Sequence, residues 1–162
     1  MNRGTQQRLV ERHERGVIRH ASSVYGASLD GVALTVYLPD SAQAEIVVLA
    51  SIHGDEAETT VVVSEALRCI PRGDLQAAVI LCGNPDGMLR GTRCNGRGVD
   101  LNRNFPTSNW SPEAVHYKTR ANEACDIVLS PGVEPASEPE TRARLSLLER
   151  LRPRPVVSLH SA

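Results

Sequence analysis

The residues best suited to chemistry in this chain are His53, Glu56 and His160. His53 closes an apolar, β-branched run, Ile46-Val-Val-Leu-Ala-Ser-Ile52, that reads as a buried strand. Asp55-Glu56 then open a stretch with helical periodicity, in which Val63, Ala66, Leu67 and Ile70 recur at i, i+3, i+4 and i+7. His53 is therefore expected at the carboxyl end of a strand and Glu56 in the first turn of the next helix, where open α/β sheets bind their ligands. Taken alone, the pair also has a plainer reading as a core histidine and a helix-capping acid. His160 changes the balance, because it ends a second apolar run, Pro155-Val-Val-Ser-Leu159. Two histidines and one carboxylate are the usual ligand set of a catalytic zinc, with a fourth position left for water. The other histidines offer less: His13 and His20 lie in an Arg-rich N-terminal stretch, and His116 falls in a polar segment that reads as a solvated helix.

The elements that must position these residues follow from the pattern. Residues 1–20 read as a surface helix or a loose arm. Val24–Leu29 and Val32–Leu38 read as two strands joined at Asp30-Gly31, a hairpin dipeptide. After the strand and helix around His53, Ala77–Leu81 is a further short strand. Residues 84–112 hold seven Gly or Pro among many Asn, Arg and Asp and show no convincing period. A loop of that length inside a compact domain is usually functional. Glu113–Ala124 reads as a helix and Ile127–Leu129 as a short strand. Ser137-Glu-Pro-Glu140 matches a capping box with proline just inside the helix, followed by a stripe of Leu145, Leu148 and Leu151. Strands alternating with helices predict an α/β fold, three layers (αβα) around a mixed, mostly parallel sheet.

Composition narrows the function. The chain has 162 residues, enough for one domain with a real core, and residues 1–162 are read as a single unit. A formal net charge of −1 supplies no field for nucleic acid or an anionic membrane. Aromatic content of 3% argues against stacking platforms for bases. No stretch approaches the ~18 apolar residues of a membrane span, and the N-terminus has no apolar leader, so a cytoplasmic location is expected. Cys69, Cys82, Cys94 and Cys125 are widely spaced and read as reduced thiols.

The long loop carries the remaining motifs: Asn84-Pro-Asp-Gly87, Arg90-Gly-Thr-Arg93 and Arg97-Gly-Val-Asp-Leu-Asn-Arg-Asn-Phe-Pro106. Together with His53-Gly-Asp-Glu56 and Ser158-Leu-His160, in that order, they make the chain resemble the zinc metallocarboxypeptidase family from about Ala44 onward. Within it the likeness is to the bacterial murein peptide amidase branch. The resemblance implies one zinc held by His53, Glu56 and His160, and a small peptide substrate with a free carboxylate. It implies that Asn102 and Arg103 take that carboxylate, for which the planar guanidinium offers a bidentate fork. It further implies that Arg90 or Arg93 stabilises the oxyanion, and that Asp100 accepts the second N–H of the first zinc histidine. The family's general-base glutamate and a substrate-covering tyrosine lie beyond the third zinc ligand and have no counterpart here. The expectation is thus an incomplete catalytic domain with its C-terminal part missing and its own hydrolysis impaired. Two other readings stay open: a zinc amidohydrolase of the aspartoacylase and succinylglutamate desuccinylase type, or a zinc-binding pseudoenzyme.

Overall fold

The computed structural model describes residues 9–118 and 126–161. In chain order the elements are β1 (Ser22–Ala27), β2 (Ala33–Tyr37), β3 (Ile46–Leu49), α1 (Ala57–Cys69), β4 (Ala77–Ile80), α2 (Pro85–Arg90), β5 (Val115–Lys118), β6 (Asp126–Leu129), α3 (Pro139–Leu151) and β7 (Val156–Ser158). Short 3-10 turns stand at Arg12–Glu14 and Leu101–Arg103.

Five strands form one sheet in the order β1-β2-β4-β3-β7. The expected hairpin is present, with Gly31 at φ +84 in its turn. β2 meets β4 antiparallel, whereas β3 runs parallel to both β4 and β7. The sheet is mixed, as expected, with its parallel half around the strand that leads to His53.

The two-residue alternation of β3 and β4 explains the layers. Val47, Leu49, Ala78 and Ile80 point to one face, where Leu147 of α3 seals them with help from Leu148 and Leu151. Ala50 and Val79 point to the other, where Val63 and Leu67 of α1 cover them. Helices on both faces make the αβα arrangement. Across the first face, buried Arg144 of α3 donates to the carbonyl of Gly83 at 2.7 Å and ties the helix to the loop after β4.

Three local expectations are corrected. Residues 115–118 of the segment read as a helix form β5, paired antiparallel with β6 from Val115↔Leu129 to Lys118↔Asp126. Non-local pairing outweighs the weak helical pattern there. Residues 119–124 of that segment, and Cys125, lie outside the described residues. The loop after β4 is not wholly irregular: Asn84 caps α2 by accepting the Gly87 N–H at 3.0 Å, Pro85 stands at its start, and Gly91 ends it at φ +64. A six-residue helix containing both Pro and Gly has no periodicity to find. Ser137 does not cap α3; the cap position is Glu138, with no side-chain cap bond.

Candidate metal centre

His53 follows a backbone distortion. Ser51, fully buried, adopts φ +47, and its N–H donates to Thr59 Oγ1 at 2.9 Å while its hydroxyl donates to the carbonyl of Glu56 at 3.0 Å. These bonds fasten the strand end to the start of α1 and offset the cost of a left-handed non-glycine residue. Gly54 then passes so close to α2 that a Cβ there would lie 2.1 Å from the Gly87 carbonyl carbon. This explains the glycines of both His-Gly and Asn-Pro-Asp-Gly. Asn84 Nδ2 also donates to the carbonyl of Arg93 at 3.0 Å, and buried Asp86 accepts from Ser28 Oγ at 2.5 Å and the Asp30 N–H at 3.0 Å. The motif is thus a clamp holding the hairpin, α2 and the Arg93 segment around His53.

The structure brings His53, Glu56 and His160 together. His53 Nδ1 lies 2.9 Å from Glu56 Oε1, His160 Nδ1 lies 3.0 Å from Glu56 Oε2, and the two Nδ1 atoms are 3.2 Å apart. Glu56 sits at the cap position of α1 but makes no side-chain cap bond, so its carboxylate is available to the cluster. His160 stands two residues past β7, which is held against β3 in parallel register. Rings 4.8 Å apart therefore come from positions 107 residues apart in sequence.

Proton accounting tests whether a cation suits this set. His53 Nε2 faces Asp100 Oδ1 at 3.3 Å, within ionic range though without hydrogen-bond geometry. A carboxylate there keeps the imidazole proton on Nε2, which leaves Nδ1 as a lone pair. That lone pair points at a carboxylate oxygen and at a second imidazole nitrogen, in a place where His53 is 2% exposed. Such a convergence of acceptors needs positive charge between them. Ligand atoms about 2.0–2.1 Å from a tetrahedral zinc stand about 3.3 Å from one another, close to the observed spacings. The residues fit the metal.

Asp100 has contacts besides its approach to His53. Its Oδ1 also accepts the Asn102 N–H at 2.9 Å, and its Oδ2 accepts Arg93 Nε at 3.1 Å. Burial alone would raise its pKa, but the His53 imidazole and the Arg93 guanidinium outweigh burial and hold the carboxyl below its ordinary value. One fully buried carboxylate thus lies against His53, holds an arginine and caps the turn that begins the Asn102-Arg103 pair. The Asn102 contact is a local cap by the aspartate two residues before it, whereas the Arg93 contact depends on how the loop folds back.

The structure places Arg90 and Arg93 apart. Arg93 lies at the cluster, with NH1 3.7 Å from Glu56 Oε1. Arg90, the last residue of α2, is directed to the surface, where it pairs with Asp30 at 2.6 Å with both side chains over 40% exposed. The left-handed turn at Gly91 reverses the chain between them. Arg93 and Glu56 border a cleft of about 510 Å³ that also reaches Asp55, Cys94, Ile127 and Leu129. Asn102 and Arg103 are exposed on the 3-10 turn and line a second cleft with Phe105 and Trp110. Glu138 and Glu140, both fully buried, are engaged elsewhere: Asn95 Nδ2 donates to each, and the Leu29 N–H donates to Glu140. His20 is buried against the carbonyl of Ile70 at 3.1 Å, and His116 is exposed on β5.

A mixed sheet between helices, with two histidines and a glutamate at the carboxyl ends of its parallel strands, is the arrangement of the zinc carboxypeptidases. The chain belongs to that family, whose profile matches residues 7–162. Among individual proteins it is 44% identical over 151 residues to murein peptide amidase A of Escherichia coli K12, covering 92% of this chain and 62% of the relative. It is 38% identical over 155 residues to murein peptide amidase A of Vibrio campbellii, covering 94% and 62%. The crystal structure of the murein-tripeptide amidase of Escherichia coli O157 superposes with a TM-score of 0.85 at 40% identity, over 95% of this chain and 66% of that one. Carboxypeptidase A of Helicoverpa armigera, at 20% identity and a TM-score of 0.63 over 88% of this chain and 41% of its own, shares the fold. The chain spans 62% of the length of the curated relatives it matches. Among the described residues, no helix is long and apolar enough to cross a membrane.

Proposed function

We propose that this chain forms the zinc-binding part of an amidase that cleaves a peptide amide bond near a free carboxylate, in a murein peptide. The observation that carries the reading is the convergence of His53, Glu56 and His160 beside Arg93, with Asp100 touching both sides. One zinc, held by His53 Nδ1, Glu56 and His160 Nδ1, would supply a Lewis acid and a water of lowered pKa. Asp100 keeps the His53 proton on Nε2 and so keeps Nδ1 a ligand. Arg93, bordering the metal-side cleft, supplies positive charge for the oxygen of the scissile carbonyl as it becomes anionic. Asn102 and Arg103 take the substrate's carboxylate, the guanidinium through two parallel N–H donors and the amide through one. The likeness to murein peptide amidases at 44% identity supports the substrate class. The unpaired thiols of Cys69, Cys82 and Cys94 support a cytoplasmic setting.

The test is metal analysis joined to substrate choice. Purified protein should carry one zinc per chain, and His53→Ala should lose it. Whatever hydrolysis the chain performs should release diaminopimelate from a γ-D-glutamyl-diaminopimelate peptide in preference to deacylating N-acetylaspartate or N-succinylglutamate. A zinc content unchanged in His53→Ala would refute the centre; the reverse substrate preference would favour an aspartoacylase-type activity.

A further inference from the structure

The parallel strands β3, β4 and β7 have a second end, opposite His53, and it too is concave. A cleft of about 640 Å³ opens there, bordered by Glu45 before β3, Gln76 before β4 and Arg154 before β7. That volume is of small-molecule size. Arg150 and Arg152, at the end of α3, border the same cleft. Chain geometry keeps the Cα atoms of residues 150, 152 and 154 within about 14 Å of one another, so three guanidiniums share one hollow. All three side chains are exposed, and among the described residues none makes a hydrogen bond or ion pair. The lining holds a single acid, Glu45, so positive charge is in excess.

A basic residue in the last turn of a helix ordinarily serves the helix dipole, and that accounts for Arg150. It does not account for the other two. Arg152 adopts φ +49 and ψ +51 just past α3, with its N–H on the carbonyl of Leu148 at 2.8 Å. Glycine is the usual residue at such a left-handed helix end, because a Cβ there is strained. Arg154 stands between Pro153 and Pro155, and a residue before proline is restricted to extended backbone. Its N–H donates to the carbonyl of Glu45 at 2.8 Å, and the Val47 N–H donates to the carbonyl of Pro155 at 3.2 Å. The prolines and these bonds fix where Arg152 and Arg154 stand before anything binds, which lowers the cost of ordering them around a ligand.

We infer that this cleft is a binding site for a small, multiply charged anion, a phosphate or carboxylate compound held by Arg150, Arg152 and Arg154. The guanidinium fork suits both kinds of oxyanion. The cleft lies at the amino ends of the strands, and the metal cluster at their carboxyl ends, so the anion is separate from any substrate at the zinc.

The test is calorimetric titration of the purified chain, stripped of metal so that the probes cannot act by chelation. Pyrophosphate and citrate are the probes, with sodium chloride at matched ionic strength as the blank. Binding at one site per chain is expected. Pyrophosphate alone identifies a phosphorylated ligand, citrate alone a polycarboxylate, and both together a site that reads charge. Arg152→Gly and Arg154→Gln should each weaken binding about fivefold, the loss of one exposed charge pair. Arg90→Gln, the same change of charge at the end of α2, should leave it unaltered. Arg152→Gly should also hold or raise the unfolding midpoint of the free chain, because glycine relieves the left-handed backbone. A variant that keeps its midpoint and loses the anion separates binding from a damaged fold. Binding of neither probe, affinity unchanged in both cleft variants, or an equal loss in Arg90→Gln overturns the inference. The titration uses metal-free protein, so a failed zinc count overturns the proposed function without deciding this result.

Discussion

Replacing Asp100 by asparagine preserves shape while changing what each oxygen can do. The carboxylate offers Oδ1 to the Asn102 N–H and the His53 ring, and Oδ2 to Arg93 Nε. Asparagine has one acceptor and one donor for these three groups. If its oxygen takes the Oδ1 place, its amide N–H faces the Arg93 N–H and a charge-assisted bond is lost. If it is turned over, the amide faces His53 Nε2 and drives the ring proton to Nδ1, where it blocks the metal. Both orientations remove an interaction in a fully buried place. A hydrogen bond to a charged group is worth about 1.5–3 kcal/mol, and loss of a carboxylate behind a metal histidine costs about 10–100-fold in metal affinity. We expect Asp100→Asn to bind zinc about 10–100-fold more weakly in competition with a chromogenic chelator. Its unfolding midpoint should fall even in chelator, because the Arg93 contact does not depend on metal. An unchanged dissociation constant would show that Asp100 does not set the His53 tautomer.

Arg93→Lys should lower kcat on a γ-D-glutamyl-diaminopimelate peptide by about 10²–10³-fold, whereas Arg90→Lys should leave it unchanged; the reverse ranking would move the oxyanion role to the surface arginine. Gly54→Ala should destabilise the chain by at least about 1–3 kcal/mol in urea, since its Cβ would meet the α2 backbone at 2.1 Å; a neutral result would mean that the loop carrying His53 shifts freely. Burial, followed by the nearby Asp100 charge, pushes the Cys94 thiol well above the ordinary thiol range, up to about 11. Site-resolved alkylation should therefore find Cys94 unreactive at neutral pH and increasingly reactive towards pH 11, and fast labelling at pH 7 would contradict its burial. Because the folded value is the higher one, the stability linked to this thiol is fully present below about pH 9 and is lost as pH rises through about 11. Alkaline unfolding should be less steep over that range in Cys94→Ser.

Sequence and tertiary structure contributed different parts of this account. The strand before His53, the helix after Glu56 and the hairpin at Asp30-Gly31 were legible because each is a short-range pattern: two-residue or 3.6-residue periodicity, or a dipeptide suited to one turn. The residues of the candidate metal cluster were legible because two stand just past strand ends and the third opens the next helix, and both kinds of place can be found. Capping at Ser137 failed because Glu140, which a capping box requires to bond backward, accepts instead from Asn95 and the Leu29 N–H. The helix expected from Glu113 failed at residues 115–118 because a strand partner outbids a weak local preference. Only the tertiary structure separated Arg93 from Arg90, since three residues that span one left-handed glycine turn can end on either side of it. It alone showed Asp100 joining His53 to Arg93. A buried carboxylate's partners come from the packing of distant segments, and residue order does not encode that packing locally.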